Sequence, residues 1–461
     1  MRGARRIWTD TGGLLALAIL AAVAATVVAV AADAPPAARS AATPSAAATV
    51  PAAAGMLAPA AVTPPPAVAA GAGGDVLRKG RYLARAGDCI GCHTAQGGRD
   101  YAGGRAIPTP FGTLYAPNIT PDPETGIGGW SADDFWQAMH AGEGPHGRLL
   151  YPAFPFPSYT RVTRDDVDAI YAWLQHGVTP VKRENRPPAL SFPYNLRSLM
   201  AVWRLLYFDQ GVYTPDPKKS AQWNRGAYLV RGLGHCAGCH APRNRFGAIG
   251  DPAQLVGAMI PMQGWYAPDL GTGPGGALDG WSEQDLVDLL HTGRSARGTA
   301  YGPMAEVVQQ SLQYLSETDV RAMATYLLAR PSQPRPADVV GVVPPRHLAV
   351  QLASEGKAIY GKRCAACHGD DGRGKGIYPP LDGNTSLLAA DPVNVVRVVL
   401  LGGFEPTTAS NPRPYSMPSF VQELDDREVA AVATYVRQAW GNDAAAVAPE
   451  IVRQYRSTPA R

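Results

Sequence analysis

The chain has 461 residues and a formal net charge of +4, with 17% of its residues charged. That length allows roughly three domains of about 100–150 residues, and a weak charge without a long basic run argues against a nucleic-acid partner. Only six cysteines are present, and their placement governs how the rest of the chain is read.

Arg2, Arg5 and Arg6 precede an uncharged stretch from Thr11 to Ala32. It exceeds the roughly 7–15 apolar residues of a secretory signal and approaches the ~20 that span a bilayer, so residues 1–32 read as a transmembrane anchor. Ala29-Val30-Ala31 also offers a small-residue cleavage site, which keeps a cleaved signal peptide open. In both cases the leading arginines hold the N-terminus in the cytoplasm and send the remainder outward. Residues 33–74 are Ala/Pro-rich with almost no charge, a semi-extended tether without a core of its own.

All six cysteines then fall in three pentapeptides: Cys89-Ile-Gly-Cys92-His93, Cys236-Ala-Gly-Cys239-His240 and Cys364-Ala-Ala-Cys367-His368. Cys-x-x-Cys-His marks c-type haem attachment, in which both sulfurs bond the haem vinyl groups and the adjacent histidine ligates iron. Zinc and a dithiol redox pair are the competing readings, but a zinc knuckle joins cysteine pairs two by two, which three pairs cannot do. The sequence therefore predicts three covalently bound haem c groups. Bacteria carry out this attachment outside the cytoplasm, in agreement with the N-terminal signal.

The chain repeats around these motifs. Gly80-Arg81-Tyr82-Leu83, Gly226-Ala227-Tyr228-Leu229 and Gly356-Lys357-Ala358-Ile359 each open a helix running into a motif. Asp166–Leu174, Asp319–Leu327 and Glu428–Val436 each close a repeat, with an acidic start suited to a helix N-terminus and apolar residues at helical spacing. The opening glycine would let Trp173, Tyr326 or Tyr435 of the closing helix approach its backbone. That crossing is the architecture of small class I cytochrome c domains, so the fold expectation is all-α with three tandem domains. They cover 75–190, 220–331 and 346–441, with an aromatic, amphipathic segment at 191–219, a linker at 332–345 and a tail at 442–461. The first two share further echoes: Tyr115-Ala116-Pro117-Asn118 with Tyr266-Ala267-Pro268-Asp269, Trp130-Ser131 with Trp281-Ser282, and His140-x-Gly142 with His291-x-Gly293.

A thioether commonly completes an electron-transfer haem opposite the histidine and raises its potential. Met304 in Tyr301-Gly302-Pro303-Met304 and Met417 in Tyr415-Ser416-Met417-Pro418 precede the second and third closing helices and are the expected second ligands beside His240 and His368. The first repeat places Phe154 there, and phenylalanine cannot ligate iron. The second ligand beside His93 is then His146 or Met139, or the site is open. Between the first two repeats, Phe192, Tyr194, Leu199, Trp203, Leu205 and Phe208 surround Arg197 and Arg204. This segment reads as a strap packed between repeats, or else as a membrane-interface helix with snorkelling arginines.

Together these motifs resemble the tri-haem cytochrome c subunit of bacterial membrane-bound dehydrogenases, serving flavin-dependent gluconate, sorbitol and fructose dehydrogenases and quinohaemoprotein alcohol dehydrogenases. The resemblance runs from about Asp75 to Trp440. It rests on Thr109-Pro110-Phe111-Gly112, Asn118-Ile119-Thr120-Pro121-Asp122, Leu150-Tyr151-Pro152-Ala153, Trp223-Asn224-Arg225-Gly226-Ala227-Tyr228-Leu229, Gly232-Leu233-Gly234-His235-Cys236 and Trp265-Tyr266-Ala267-Pro268. It implies a subunit with no catalytic residues of its own, on the periplasmic side of the cytoplasmic membrane. Such a subunit takes electrons from a dehydrogenase catalytic subunit and passes them to ubiquinone. The resemblance favours a flavin or pyrroloquinoline quinone partner over a molybdenum one, with room for a small accessory subunit. Different-class alternatives are a peroxidase or reductase using an open first haem, and an electron-entry subunit of a terminal oxidase.

Overall fold

The computed structural model describes residues 72–332 and 342–457. The expected anchor at 1–32 and nearly all of the tether lie outside these residues. Among the described residues no helix is long and apolar enough to cross a membrane.

Three pairs of helices cross. Ala72–Ala86 packs on Arg164–His176, Ala221–Arg231 on Glu317–Leu328, and Arg346–Arg363 on Asp426–Gln438. Each crossing is closed by a glycine. A Cβ on Gly80, Gly226 or Gly356 would overlap the backbone of Ala169, Ala322 or Ala431 and lie 2.8, 2.9 or 2.8 Å from the Cβ of Trp173, Tyr326 or Tyr435. The closing helices start where a side chain caps them: Thr163 accepts from the Asp166 N–H, Ser316 from Asp319 and Asp425 from Glu428. Two of the three echoes of the first two repeats are caps as well. Ser131 and Ser282 form capping boxes with Asp134 and Asp285, and Gly142 and Gly293 end the same helices in the left-handed region at φ 69° and 82°.

The all-α expectation needs one correction, because five small antiparallel sheets occur among the described residues. The longest pairing is Val256–Ile260 with Trp265–Asp269, and Ala106–Thr109, Gly112–Tyr115 and Ala189–Leu190 form a three-stranded sheet. Apart from Ala189–Leu190, which follows the first closing helix, the strands are hairpins between motif and closing helix, where Gly and Pro interrupt helical periodicity. The tail, about which the sequence says nothing, carries a helix. Helix Pro449–Arg456 buries Val452 in the third repeat's core, and its Arg456 binds Asp426 and the Val421 and Leu424 carbonyls.

The first two repeats share one continuous core, while the third has its own. Their contact is reciprocal. Tyr82 of the first opening helix donates to Asp319 of the second closing helix at 2.6 Å, and Tyr228 of the second opening helix donates to Asp166 of the first closing helix at 2.5 Å. Each tyrosine oxygen also accepts the N–H of the opposite cap residue, Ser316 or Thr163, at 3.2 Å. Each aspartate is held from its own repeat by the residue before the crossing glycine, Lys79 on Asp166 and Arg225 on Asp319, at 2.7 Å. This is pseudo-twofold pairing.

Helix Leu199–Tyr207 is the strap of the first two expectations. Its Trp203 clusters with Phe156 of the first repeat and Ala248 of the second, and donates to the Phe246 carbonyl at 3.0 Å. Its arginines do not snorkel outward. Arg197, just before the helix, donates to the Leu149 carbonyl at 2.6 Å and covers the Tyr151 ring, and Arg204 pairs with Glu143.

Candidate functional site

Each opening helix stops just before or at its motif, and a one-turn helix carries the motif histidine: Cys89–His93, Ala237–His240 and Ala365–His368. The residue before the first cysteine turns the chain in the first two, Asp88 at φ 48° and His235 at φ 36°. All three histidines are held alike. The Nδ1 atoms of His93 and His240 lie 2.8 Å from the Pro117 and Pro268 carbonyls, and that of His368 lies 3.0 Å from the Pro379 carbonyl. A carbonyl only accepts, so Nδ1 carries the proton and Nε2 presents a lone pair, the orientation used when an imidazole is a metal ligand. Burial lowers the pKa of all three rings, against the opposing effect of those carbonyls, so they stay neutral. The third proline has no visible equivalence in sequence, because Tyr378-Pro379-Pro380 follows its histidine far more closely than Pro117 or Pro268 follows theirs.

The cysteines are unpaired thiols. Burial pushes Cys89 and Cys236 up to about 12 and Cys92 and Cys364 up to about 11. No disulfide consumes any of the six sulfurs, so each motif keeps both for thioether bonds to one macrocycle. Among the described residues no three of His, Cys, Asp and Glu assemble as an ion site. Sulfur pairs, neutral imidazoles and surrounding apolar side chains thus fit haem c.

The first and second motifs lie close together: a Cβ on Gly87, two residues before Cys89, would stand 3.4 Å from Leu233, three residues before Cys236. Arg105 ties the first motif to the second repeat by donating to the Gly91 carbonyl and to both carboxylate oxygens of Glu306, two residues after Met304. Asp88 sits in the same junction, where burial and the nearby Glu306 charge push its carboxyl up to about 7. Arg105 and Glu306 are isolated charged residues far apart in the chain, and nothing in the sequence pattern signals their meeting.

Met304 heads helix Pro303–Gln310 and Met417 pairs with Gly403 across a short hairpin, each partly buried against the core of its own repeat. In the first repeat, Phe154 packs at 5.3 Å from Tyr159, whose hydroxyl donates to the Gly87 carbonyl beside the motif at 2.9 Å. Phe154 thus lies one side chain away from the turn that precedes the first motif. The two candidate replacements separate sharply. Met139 is 3% exposed in the core that contains Ile90 of the motif, whereas His146 is exposed at a hairpin tip with φ 60°. His140 stacks on Trp136 at 4.3 Å and its Nδ1 lies 3.1 Å from the Thr160 carbonyl.

The cytochrome c family model matches residues 77–177 and 353–440. The chain is 38% identical over 399 residues to the cytochrome c subunit of alcohol dehydrogenase (quinone) from Gluconobacter oxydans, covering 84% of this chain and 83% of that one. It is 38% identical over 391 residues to the gluconate 2-dehydrogenase cytochrome c subunit of Pantoea cypripedii, covering 80% and 87%. It is also 45% identical over 373 residues to a nicotinate dehydrogenase subunit of Pseudomonas putida, covering 80% of this chain but only 30% of that longer protein. With the same motif geometry standing three times in the structure, the chain belongs to the cytochrome c family, among the electron-transferring cytochrome c subunits of dehydrogenases.

Proposed function

We propose that this chain is a tri-haem subunit that takes electrons from a periplasmic dehydrogenase catalytic subunit and delivers them to ubiquinone in the cytoplasmic membrane. The observation that carries the number three is the thrice-built motif, with His93, His240 and His368 each oriented by a proline carbonyl below a glycine-closed helix crossing. In this reading the domains are 75–190, 220–331 and 346–441. Cys89, Cys92, Cys236, Cys239, Cys364 and Cys367 attach the groups, and Met304 and Met417 complete the second and third sites. Met139 completes the first, since it is buried where His146 is exposed. Haem c supplies one-electron storage at iron; the chain fixes imidazole tautomer, burial and spacing.

The relative named for alcohol and quinone, and the one named for gluconate, support an alcohol, sugar or aldonate as the partner's substrate and a quinone as acceptor. The N-terminal stretch supports attachment at the membrane. A second reading of the partner rests on the 45% identity to the nicotinate dehydrogenase subunit: a catalytic subunit that oxidises a nitrogen-heteroaromatic acid. The test is purification from membranes. We expect an intact mass carrying three haem units, a co-purifying dehydrogenase, and substrate-dependent reduction that a ubiquinone analogue reverses. Two haem units would overturn the count. Substrate-dependent reduction by the isolated chain would overturn the role, and co-purification with a copper–haem oxidase core would replace the partner.

A further inference from the structure

Two arginines of the third repeat are 1% exposed, Arg397 and Arg437. Arg437 is satisfied by the carbonyls of Leu387, Ala389 and Ala445. Arg397 is not: its Nε and Nη1 have no hydrogen-bond partner among the described residues. A buried guanidinium without a counter-charge is strongly disfavoured, so two unanswered donors on one buried side chain signal a group that the polypeptide does not itself provide.

Its place narrows what that group is. Arg397 projects from helix Val393–Leu401 onto the second repeat, 4.9 Å over the Trp265 ring, with Nη1 3.0 Å from where a Cβ on Gly264 would stand. The same helix locks to that hairpin through Asn394, which accepts the Tyr266 N–H at 3.0 Å and donates to the Tyr266 carbonyl at 2.8 Å. Trp265 packs against Gly302, two residues before Met304, and lies three residues before Pro268, which holds His240. Tyr301 brings a buried hydroxyl to the same junction, beside Ser386 and Asn394 of the third repeat. The neighbouring ionisable group that Arg397 senses is the Tyr455 phenol, which is neutral at ordinary pH. A planar guanidinium presents paired donors matched to a carboxylate.

We propose that Arg397, from the third repeat, is the counter-cation of a carboxylate side chain of the haem c held at Cys236, Cys239 and His240, so that the second site is completed across the repeat boundary. This rests on the tri-haem reading. The alternative source of the same chemistry is a free small carboxylate.

The experiment uses the full holoprotein with Arg397→Gln and Arg397→Lys, first weighed to confirm three haem units. Three potentiometric waves are assigned by Met304→Ala and Met417→Ala. Loss of a buried positive charge favours the oxidised iron, so Arg397→Gln should move the Met304-assigned wave to lower potential and leave the Met417-assigned wave in place. Arg397→Lys keeps the charge but not the fork. It should preserve that potential while shifting the carboxylate-bending Raman band of one haem, which keeps the proposal testable if the Gln variant does not fold. Movement of the Met417-assigned wave, or three unmoved waves with an unchanged Raman band, overturns it. A wild-type melting temperature raised by millimolar acetate, with the rise lost in Arg397→Gln and no wave moved, assigns a free carboxylate and also overturns it. Two haem units would instead defeat the reading beneath it.

Discussion

Tyr228→Phe isolates the pairing of the first two repeats. The substitution removes one oxygen and leaves the ring against Tyr213. That oxygen donates to the Asp166 carboxylate at 2.5 Å and accepts the Thr163 N–H at 3.2 Å. A hydrogen bond to a charged group contributes about 1.5–3 kcal/mol, and Asp166 keeps Lys79 as a partner. The expected loss is about 2–3 kcal/mol, which is about 4–12 °C for a body of this size. Tyr82→Phe, its pseudo-twofold mate, should cost a similar amount, somewhat less because Tyr82 is more exposed. Hydrogen exchange resolved by peptide is the assay. Protection should fall in Ala72–Ala86 and Ala221–Arg231 for either variant, and stay unchanged in Arg346–Arg363, which belongs to the other core. A loss under about 0.5 kcal/mol for both variants would refute the argument, as would equal loosening of the third repeat.

Gly356→Ala should destabilise the third core alone by about 1–3 kcal/mol or more, since the added methyl must displace Ala431 or Tyr435; urea unfolding of the holoprotein checks it. Burial pushes Asp319 up, but hydrogen bonds from Arg225 and Tyr82 outweigh it and hold its carboxyl below the ordinary value. A depressed carboxylate contributes stability above its unfolded pKa of about 3.9 and loses it as pH falls through the lower folded value. Asp319→Asn should therefore flatten the urea midpoint between about pH 5 and pH 3 relative to wild type. Met304→Ala and Met417→Ala should each lower the potential of one haem and leave the others nearly unchanged. Met139→Ala should create an open first site that binds carbon monoxide, whereas His146→Ala should leave spectra and potentials as they were; the opposite pattern would return the ligand to His146.

Much of this was readable in the chain because the physics is local. Cys-x-x-Cys-His names its chemistry outright, and the crossing glycines and capped closing helices follow from helical spacing and short-range hydrogen bonds. The resemblance to dehydrogenase cytochrome subunits held for the same reason, since its motifs are contiguous runs. What escaped was held by contacts distant in sequence. Pro379 does for His368 what Pro117 does for His93, but through a much shorter loop. Arg105 meets Glu306, and Arg397 meets Trp265, only once the repeats have packed. Met139 and His146 could not be ranked until burial separated a helix face from a hairpin tip. The hairpins were missed because strands of two to five residues carry too little alternation to register.

The third repeat shows why identical motifs do not pack identically. In the first two, a basic residue precedes the crossing glycine, an aspartate answers it from the closing helix, and a tyrosine two positions past the glycine reaches the other repeat's aspartate. The third inverts the charges and removes the hydroxyl. Glu355 stands in the place of Lys79 and Arg225, bound by Arg427 at 2.8 and 3.0 Å, and Ala358 stands in the place of Tyr82 and Tyr228. It lacks the tyrosine that gives the reciprocal bond, and its Glu428 carboxylate accepts the N–H of its own cap residue Asp425 at 2.9 Å, so it docks by other means, through Asn394 on Tyr266 and Arg294 on Glu405. Both of those contacts fall on the second repeat, which therefore has the first on one side, motif against motif, and the third on the other. Combining Glu355→Lys, Ala358→Tyr and Glu428→Asp would give the third repeat every group that the pairing uses. Such a triple variant should compete with the second repeat for the first, detectable as loss of the Tyr228-dependent protection in Ala72–Ala86. If that protection is unaffected, the charge and hydroxyl pattern is not what selects the partner, and shape at the Leu229 and Leu233 core positions must be.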